Sequence, residues 1–295
     1  MNVSEEHAEE RIARSPVVVT GSSSGIGAAS ARLLAENGHK VFAGRRDIAR
    51  AGEPEGVGAG SVIPLALDVT NDESVARALA VVEAGIGPAG RLSGVVNNAG
   101  ITVNGPAELV SMEDLREQFE VNLVGAARVS QAFLPLLRRS GGRIVNIGSL
   151  TARMSFPFAG PYSASKAALA AMSHAMRREL RPHGVHVVLL EPGNIQTGIW
   201  DKHIRSVQSL LDRATPDARR AYEHHLKADV RMVGRLKAGG TDPREVASAV
   251  LEALNSERPR SRYAVGLDSK ALSALLRVMP SPISDRLIAR FMGVR

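Results

Sequence analysis

Tyr162 and Lys166 stand four residues apart, and Ser149 lies thirteen positions before the tyrosine. On a helix, residues i and i+4 share a face, so a phenol and an ammonium at this spacing can approach each other. A free tyrosine titrates near pH 10 and is a poor base at neutrality. An ammonium about 4 Å away, at an effective dielectric of about 20, attracts a phenolate by roughly 4 kcal/mol, equivalent to about three pKa units before losses. Such a pair could move protons near neutral pH. Only roughly 0.06 Tyr-x-x-x-Lys pairs are expected by chance in this chain. The plainer alternative is a pair on a helix surface. Against it, the neighbours Ala164, Ser165, Ala167, Ala168 and Ala171 are small and suit close packing or a cleft.

A second group of residues could hold phosphate. Thr20-Gly21-Ser22-Ser23-Ser24-Gly25-Ile26-Gly27 follows the short β-branched run 16–20 and opens a helical stretch, 28–37. Glycines there let the backbone approach a pyrophosphate, and the helix N-terminus offers free N–H groups. A Gly/Ser loop can equally just join two elements. Gly44-Arg45-Arg46 closes the next apolar run, about 20 residues past the glycines. In a dinucleotide site an acid at that place meets the ribose of NAD, whereas arginine pairs with the 2′-phosphate of NADP. No acid precedes Asp47. Two solvated arginines are the alternative reading.

The elements that must position these groups alternate. Apolar runs at 16–20, 39–44, 61–67, 91–97, 142–147 and 185–190 read as strands. Helices are expected at 28–37, from Asn71 or Asp72 to Ala84, at 112–137, and at 161–180 with proline at its start. Strand–helix repetition predicts an α/β fold, a doubly wound parallel sheet in three layers, and strands buried on both faces read as continuous apolar runs. Residues 47–60 are short and poor for a helix. After Gly193 the chain turns polar, with helices expected at 203–213 and 216–232. A further helix starts at Thr241-Asp-Pro-Arg and ends near Leu254, and a last strand spans 262–265. We expect a loose polar arm at 1–14, one domain at 15–266 with a substrate-region insertion at about 194–241, and an amphipathic tail at 267–295 broken at Pro280-Ser-Pro282.

TGSSSGIG at 20–27, Asp68 after the third strand, NNAG at 97–100, Asn122 within VNLVG, Ser149, YSASK at 162–166 and PGNIQT at 192–197 follow in one order. With that order and spacing the sequence resembles the short-chain dehydrogenase/reductase family over nearly all of residues 15–266, in its compact TGxxxGxG branch. The C-terminal third resembles the branch of retinol- and hydroxysteroid-type dehydrogenases. The resemblance implies a Rossmann-like fold and an oxidoreductase interconverting an alcohol and a ketone or aldehyde by hydride transfer. Tyr162 would be the general acid/base, Lys166 would tune it and hold ribose hydroxyls, Ser149 would bond the substrate oxygen, and Asn122 would hold a water relaying protons to Lys166. For the cofactor it implies Gly21, Ser23, Gly25 and Ile26 at the phosphates, and Asp68 and Val69 at adenine. Asn98, Ala99 and Gly100 would lie at the ribose, and Pro192, Gly193, Ile195 and Thr197 at the nicotinamide. Asn97 instead reads as a bridge between strands.

Ser24, also expected at the cofactor, stands where the family can carry a basic residue. The expectation of NADP(H) over NAD(H) therefore rests on Arg45 and Arg46. Leu150, Met154, Phe156, Phe158, Ile199 and Trp200, with Ser149, would line the substrate site, and their apolar character implies a lipophilic alcohol or carbonyl compound. The helices at 112–137 and 161–180 resemble the family's subunit contacts, which implies a homodimer or homotetramer. The other class of function kept open is a dinucleotide-binding sensor or scaffold with little turnover.

Composition narrows the rest. There is no cysteine, which excludes disulfides, thiolate metal sites and cysteine nucleophiles. The net charge of +7 could serve nucleic acid, but the arginines are scattered and aromatics are only 3%, too few for base-stacking platforms, so no nucleic-acid partner is expected. His183, His186, His224 and His225 lack an accompanying carboxylate cluster, so no metal is expected. No run reaches the roughly 18 apolar residues of a membrane helix. The first residues are acidic with no apolar core, which gives a cytoplasmic expectation. The tail, with Arg277, Arg286 and Arg290 beside apolar residues, could make weak peripheral contact with a membrane, or pack on the domain or on a partner subunit.

Overall fold

The computed structural model describes residues 16–47, 55–88, 90–269, 272 and 281–292. Strand β1 (Val17–Val19) is wholly buried and its side chains alternate between two cores. Val17 and Val19 face a cluster with Ala31, Leu34, Val246 and Val250; Val18 faces another with Phe42, Val75, Val82, Val129 and Phe133. That alternation requires helices on both sides of the sheet.

The strands are β2 (Lys40–Arg45), β3 (Glu55–Val57), β4 (Gly60–Ala66), β5 (Gly94–Asn97), β6 (Arg143–Ile147), β7 (His186–Pro192) and β8 (Arg262–Val265). Their order is β3-β4-β2-β1-β5-β6-β7-β8, parallel throughout except for β3. The chain builds outward from β1 through β2 to β4, then returns to pair β5 on the other side of β1. A crevice opens at such a reversal, beyond the carboxyl ends of the strands. Residues 55–57 return as an antiparallel strand on β4, so the stretch that reads as too poor for a helix supplies an edge strand. β3 reaches only to Val62 of β4, and Pro64 lies past it, where an edge tolerates a missing N–H.

Helix α1 is Gly25–Glu36. α2 (Asp72–Ile86) is capped by Asn71, which accepts from the Ser74 N–H. The expected single helix at 112–137 is α3 (Met112–Phe119), a π-helical turn (Glu120–Val124) and α4 (Gly125–Ser140) in succession. π turns mark functional sites often enough to be informative, and this one carries Asn122. α5 is Gly160–Leu180. α6 (Ile199–Arg213) begins four residues before the expected start, which puts Ile199 and Trp200 in its first turn, and α7 (Pro216–Ala238) runs past 232. α8 (Pro243–Asn255) is capped by Asp242. α9 (Ser281–Met292) begins inside the Pro280-Ser-Pro282 segment and packs against α7, the domain-packing alternative for the tail. No helix among the described residues is long and apolar enough to cross a membrane. The expected arm at 1–14 lies outside the described residues.

Between the layers runs a buried polar chain. Asn97 Nδ2 donates to Ser130 Oγ at 2.9 Å and to Asn146 Oδ1 at 2.8 Å, and Asn146 Nδ2 donates to Ser173 Oγ at 2.8 Å. It ties β5 and β6 to α4 and α5, so Asn97 is the strand bridge it reads as. Buried donors left unpaired cost about 1–3 kcal/mol each. Asn146→Ala is expected to lower unfolding stability by about 2 kcal/mol or more, read from urea denaturation; a loss under about 0.5 kcal/mol would contradict the network's structural weight.

Candidate active site

β1 ends in the glycine-rich turn, where Gly21 has φ 65°, a left-handed conformation that favours glycine. A Cβ there would lie 2.7 Å from Ala99 Cα, so the turn also needs glycine to touch the NNAG segment. Thr20 Oγ1 accepts from the N–H groups of Asn98 (3.0 Å) and Ala99 (2.9 Å), and Asn98 Nδ2 donates to the carbonyls of Thr20 and Gly21, both at 3.0 Å. The Asn98 amide nitrogen thus holds two loops together, and Asn98 also lines the cavity beside Ala99 and Gly100. Ser24 is the N-cap of α1 but makes no side-chain cap bond. The first-turn N–H groups, which have no intrahelical partner, meet a cavity that Gly21, Ser23, Ser24, Gly25 and Ile26 line. Unclaimed donors at a helix N-terminus fit a pyrophosphate.

Arg45 ends β2 and Arg46 follows it on the wall of the same cavity, beside Asp68 and Val69. Burial alone would raise the Asp68 carboxyl. Hydrogen bonds from the Thr70 N–H (2.9 Å) and hydroxyl (2.7 Å), with the Arg46 and Arg128 charges, outweigh it and hold the group below its ordinary value.

Farther along the wall stand Ser149, Tyr162 and Lys166. Ser149 follows β6 and caps a 3₁₀ turn, Leu150–Ala152. Its Oγ accepts from the Thr151 N–H (3.2 Å) and hydroxyl (3.0 Å), which leaves its own proton to donate, and it is hydrogen-bonded to the Tyr162 phenol. Thr151 had no motif to reveal it. Lys166 Nζ donates to the Ile147 carbonyl at 2.7 Å and lies 5.8 Å from the centre of the Tyr162 ring. The shared helix face does bring the two together. The Asn122 amide is tied into the chain on two sides. Its Oδ1 accepts from the Ile101 N–H (2.9 Å), while Nδ2 donates to the Ile101 carbonyl and to Ser165 Oγ, both at 3.1 Å. The side chain splints the segment after NNAG with both amide hydrogens, while Oδ1 keeps a second lone pair. It still borders the site, since a Cβ on Gly100 would lie 3.3 Å from its Oδ1 and 3.8 Å from Lys166 Nζ.

The far wall comes from the segment after β7. Gly193 lies against Asp268, whose Oδ2 accepts from the Asn194 N–H at 2.6 Å; a Cβ there would sit 2.2 Å from Asp268 Oδ1. Pro192, Ile195 and Thr197 line the cavity, and Trp200 is pinned by its indole N–H to the Ile195 carbonyl at 2.9 Å. Just before this segment, Glu191 is buried between Arg262 and Arg153, the latter at 3.3 Å. Arg153 directly follows the turn that Ser149 caps, so this cluster joins the two walls. The cavity encloses about 870 Å³. Leu150, Met154, Phe156, Ile199 and Trp200 line it as expected, but Phe158 does not. Phe158 turns away at φ 67° and packs on the cluster of Val207, Leu211 and Leu226.

The family model described as short chain dehydrogenase matches residues 15–207. The chain belongs to the short-chain dehydrogenase family. It is 37% identical over 272 residues to the 3-amino-tetrahydro-pyrrolizinone reductase of Xenorhabdus hominickii, covering 90% of this chain and 92% of that one. It is 35% identical over 277 residues to human retinol dehydrogenase 16, covering 92% and 87%. Among solved structures, a short chain dehydrogenase from Burkholderia cenocepacia in complex with NADP superposes with a TM-score of 0.71 at 29% identity, covering 94% of this chain and 98% of that one.

In this short-chain dehydrogenase, burial pushes the Tyr162 phenol above its ordinary value, opposed by the Ser149 hydrogen bond, and pushes the Lys166 ammonium down to about 8. The expected one-way pull of Lys166 on the phenol is therefore not what the chain by itself produces: both groups lose water and both are driven towards neutrality. The folded chain releases the Lys166 proton before the unfolded chain does. Raising the pH from about 8 to the ordinary 10.5 thus adds stability through this residue, and below about 8 that contribution is absent. NMR of ¹³C-labelled lysine in the dinucleotide-free protein is expected to show one lysine titrating near 8, lost in Lys166→Met; a midpoint at the ordinary value would refute this burial.

Proposed function

We propose that the protein is an NADP(H)-dependent oxidoreductase interconverting a lipophilic alcohol and its ketone or aldehyde, with Tyr162 as general acid/base. One observation carries the reading: Ser149, Tyr162 and Lys166 share a single cavity with the open N-terminus of α1 and with Arg45 and Arg46. A sensor or scaffold has no use for that convergence.

The residues suit the dinucleotide that the family's reaction uses. The α1 N-terminus and the glycine turn take the pyrophosphate, Asp68 and Val69 flank the adenine, and Arg45 and Arg46 meet a 2′-phosphate. Asn98, Ala99 and Gly100 face the ribose, and Pro192, Gly193, Ile195 and Thr197 face the nicotinamide. When bound, the dinucleotide supplies or accepts the hydride. Ser149, its oxygen held by Thr151, donates a hydrogen bond to the substrate oxygen and fixes its pose. Tyr162, kept protonated by its buried setting, gives its proton to that oxygen as an alcohol forms, and takes it back in the oxidative direction. Lys166, anchored on Ile147, stabilises the phenolate that this leaves. Asn122 braces the chain at Ile101 and holds a water that relays protons to Lys166. Leu150, Met154, Phe156, Ile199 and Trp200 favour an apolar substrate, within a substrate region at about 194–241. Assembly through α4 and α5 into a dimer or tetramer belongs to the same reading.

Loss of a general acid costs about 10²–10⁴ in rate. Tyr162→Phe is expected to reduce kcat on a panel of apolar ketones by that factor while dinucleotide binding, followed by nicotinamide fluorescence, changes little. A wild-type protein that binds dinucleotide but turns over no carbonyl or alcohol would establish the scaffold instead. Arg45→Ala with Arg46→Ala is expected to raise KM for NADPH by about 10-fold or more, since hydrogen bonds to charged groups contribute about 1.5–3 kcal/mol each, with KM for NADH nearly unchanged. Equal losses for both cofactors would remove the NADP preference.

A further inference from the structure

Within the largely apolar wall that faces Tyr162's cavity sits one ionisable pair. His203 of α6 and Asp229 of α7 both line the cavity, and their Nε2 and Oδ2 atoms are 2.5 Å apart. The side chains are 9% and 4% exposed. Around them the seam between the two helices is hydrocarbon. Val207 follows His203 one turn along α6, and Leu226 and Val233 bracket Asp229 on α7, all nearly fully buried. Two apolar side chains of similar size would close this seam at no desolvation cost, and such replacements of buried ion pairs are commonly neutral or stabilising. Helix pairing by itself therefore does not account for a histidine and an aspartate at this position.

Their remaining atoms suggest what does. A carboxylate only accepts, so Nε2 carries the hydrogen toward Asp229, and Nδ1 is turned to other partners. Among the described residues Nδ1 has no hydrogen-bond partner, and it is not sealed from solvent as the orphaned buried atoms are. We propose that His203, oriented by Asp229, recognises a second polar group of the substrate, a hydroxyl carried on its apolar body away from the reacting carbon. A hydroxyl both donates and accepts, so it satisfies Nδ1 whether or not the imidazole carries a second proton. His203 touches the substrate; Asp229 is a positioning residue that fixes the ring. The substrate class becomes a lipophilic carbonyl or alcohol with a remote hydroxyl. The inference rests on the oxidoreductase reading above and sharpens it.

The test uses matched ketones, alicyclic and aromatic, each with and without a remote hydroxyl. Kinetics are measured on the full-length protein with NADPH and with NADH. A site built to bond a hydroxyl discriminates against the analogue lacking it. We expect the wild type to prefer at least one hydroxylated ketone by about 10-fold or more in kcat/KM. In His203→Phe/Asp229→Leu the ratio should fall to about one, with the deoxy ketone turned over within about three-fold of wild type and the melting temperature equal or higher. If that variant does not fold, His203→Gln alone should reduce the ratio by at least about three-fold. A merely structural role would slow both ketones alike and leave the ratio intact, which would overturn the inference, as would a wild-type ratio near one for every pair. Turnover of no ketone or alcohol with either cofactor would instead overturn the oxidoreductase reading, and this inference with it.

Discussion

The reversal of chain direction beside β1 is the constraint on which the rest depends. Two parallel strands, β1 and β5, run side by side, yet the connections that follow them leave in opposite senses. That parts the layers above their carboxyl ends and makes a crevice no other place in the sheet could offer. The crevice is held to shape by a few bonds. Thr20 Oγ1 takes two N–H groups from the NNAG segment, and Asn98 returns two bonds to the carbonyls of Thr20 and Gly21. Without that stitch, the open end of α1 and the segment bearing Gly100 would have no common register.

Around the crevice the chain spends its buried polar groups on geometry. Asn97 and Asn146 lock adjacent strands to helices on one side. Asn122 and Gln118 fasten Ile101, with Gln118 Nε2 donating to the same carbonyl at 3.0 Å. The π turn under Asn122 fits this role, since an extra residue in the helical ladder re-aims a side chain. Glu191 links the Ser149 turn, through Arg153, to the strand that leads into Pro192 and Gly193. Burial raises the Glu191 carboxyl, and Arg153 opposes it. None of these groups need touch a substrate, yet together they bring a serine from the turn after β6 and a tyrosine and a lysine from α5 to one wall.

The electrostatics of that wall differ from a simple ion pair. Lys166 is nearly enclosed and holds a backbone carbonyl, so its ammonium is only modestly favoured over the amine. A group poised near neutrality responds strongly to what is placed beside it. The phenol of Tyr162 starts from the protonated side, which suits proton donation.

Much of this was legible in the residues. The parallel sheet followed from apolar runs such as Val17–Val19, and the last strand at 262–265 lies where it reads. The Tyr162–Lys166 face and the glycine turn were readable because their spacing is local: one helical turn, or one strand-to-helix junction. The π turn inside 112–137 was not, because a ladder defect leaves no mark on apolar periodicity. Phe158 looked like its neighbour Phe156, but one left-handed residue sends its ring to another cluster. The bond from His203 to Asp229 spans 26 positions, and Asp268 reaches back to Asn194 over 74. Neither has a local pattern. Sequence alone determined which chemical groups the chain owns and which short segments present them, since local spacing obeys fixed helical and strand periods. Tertiary structure alone decided which distant groups meet and which lose their water, because helix crossings and burial depend on the whole packed core.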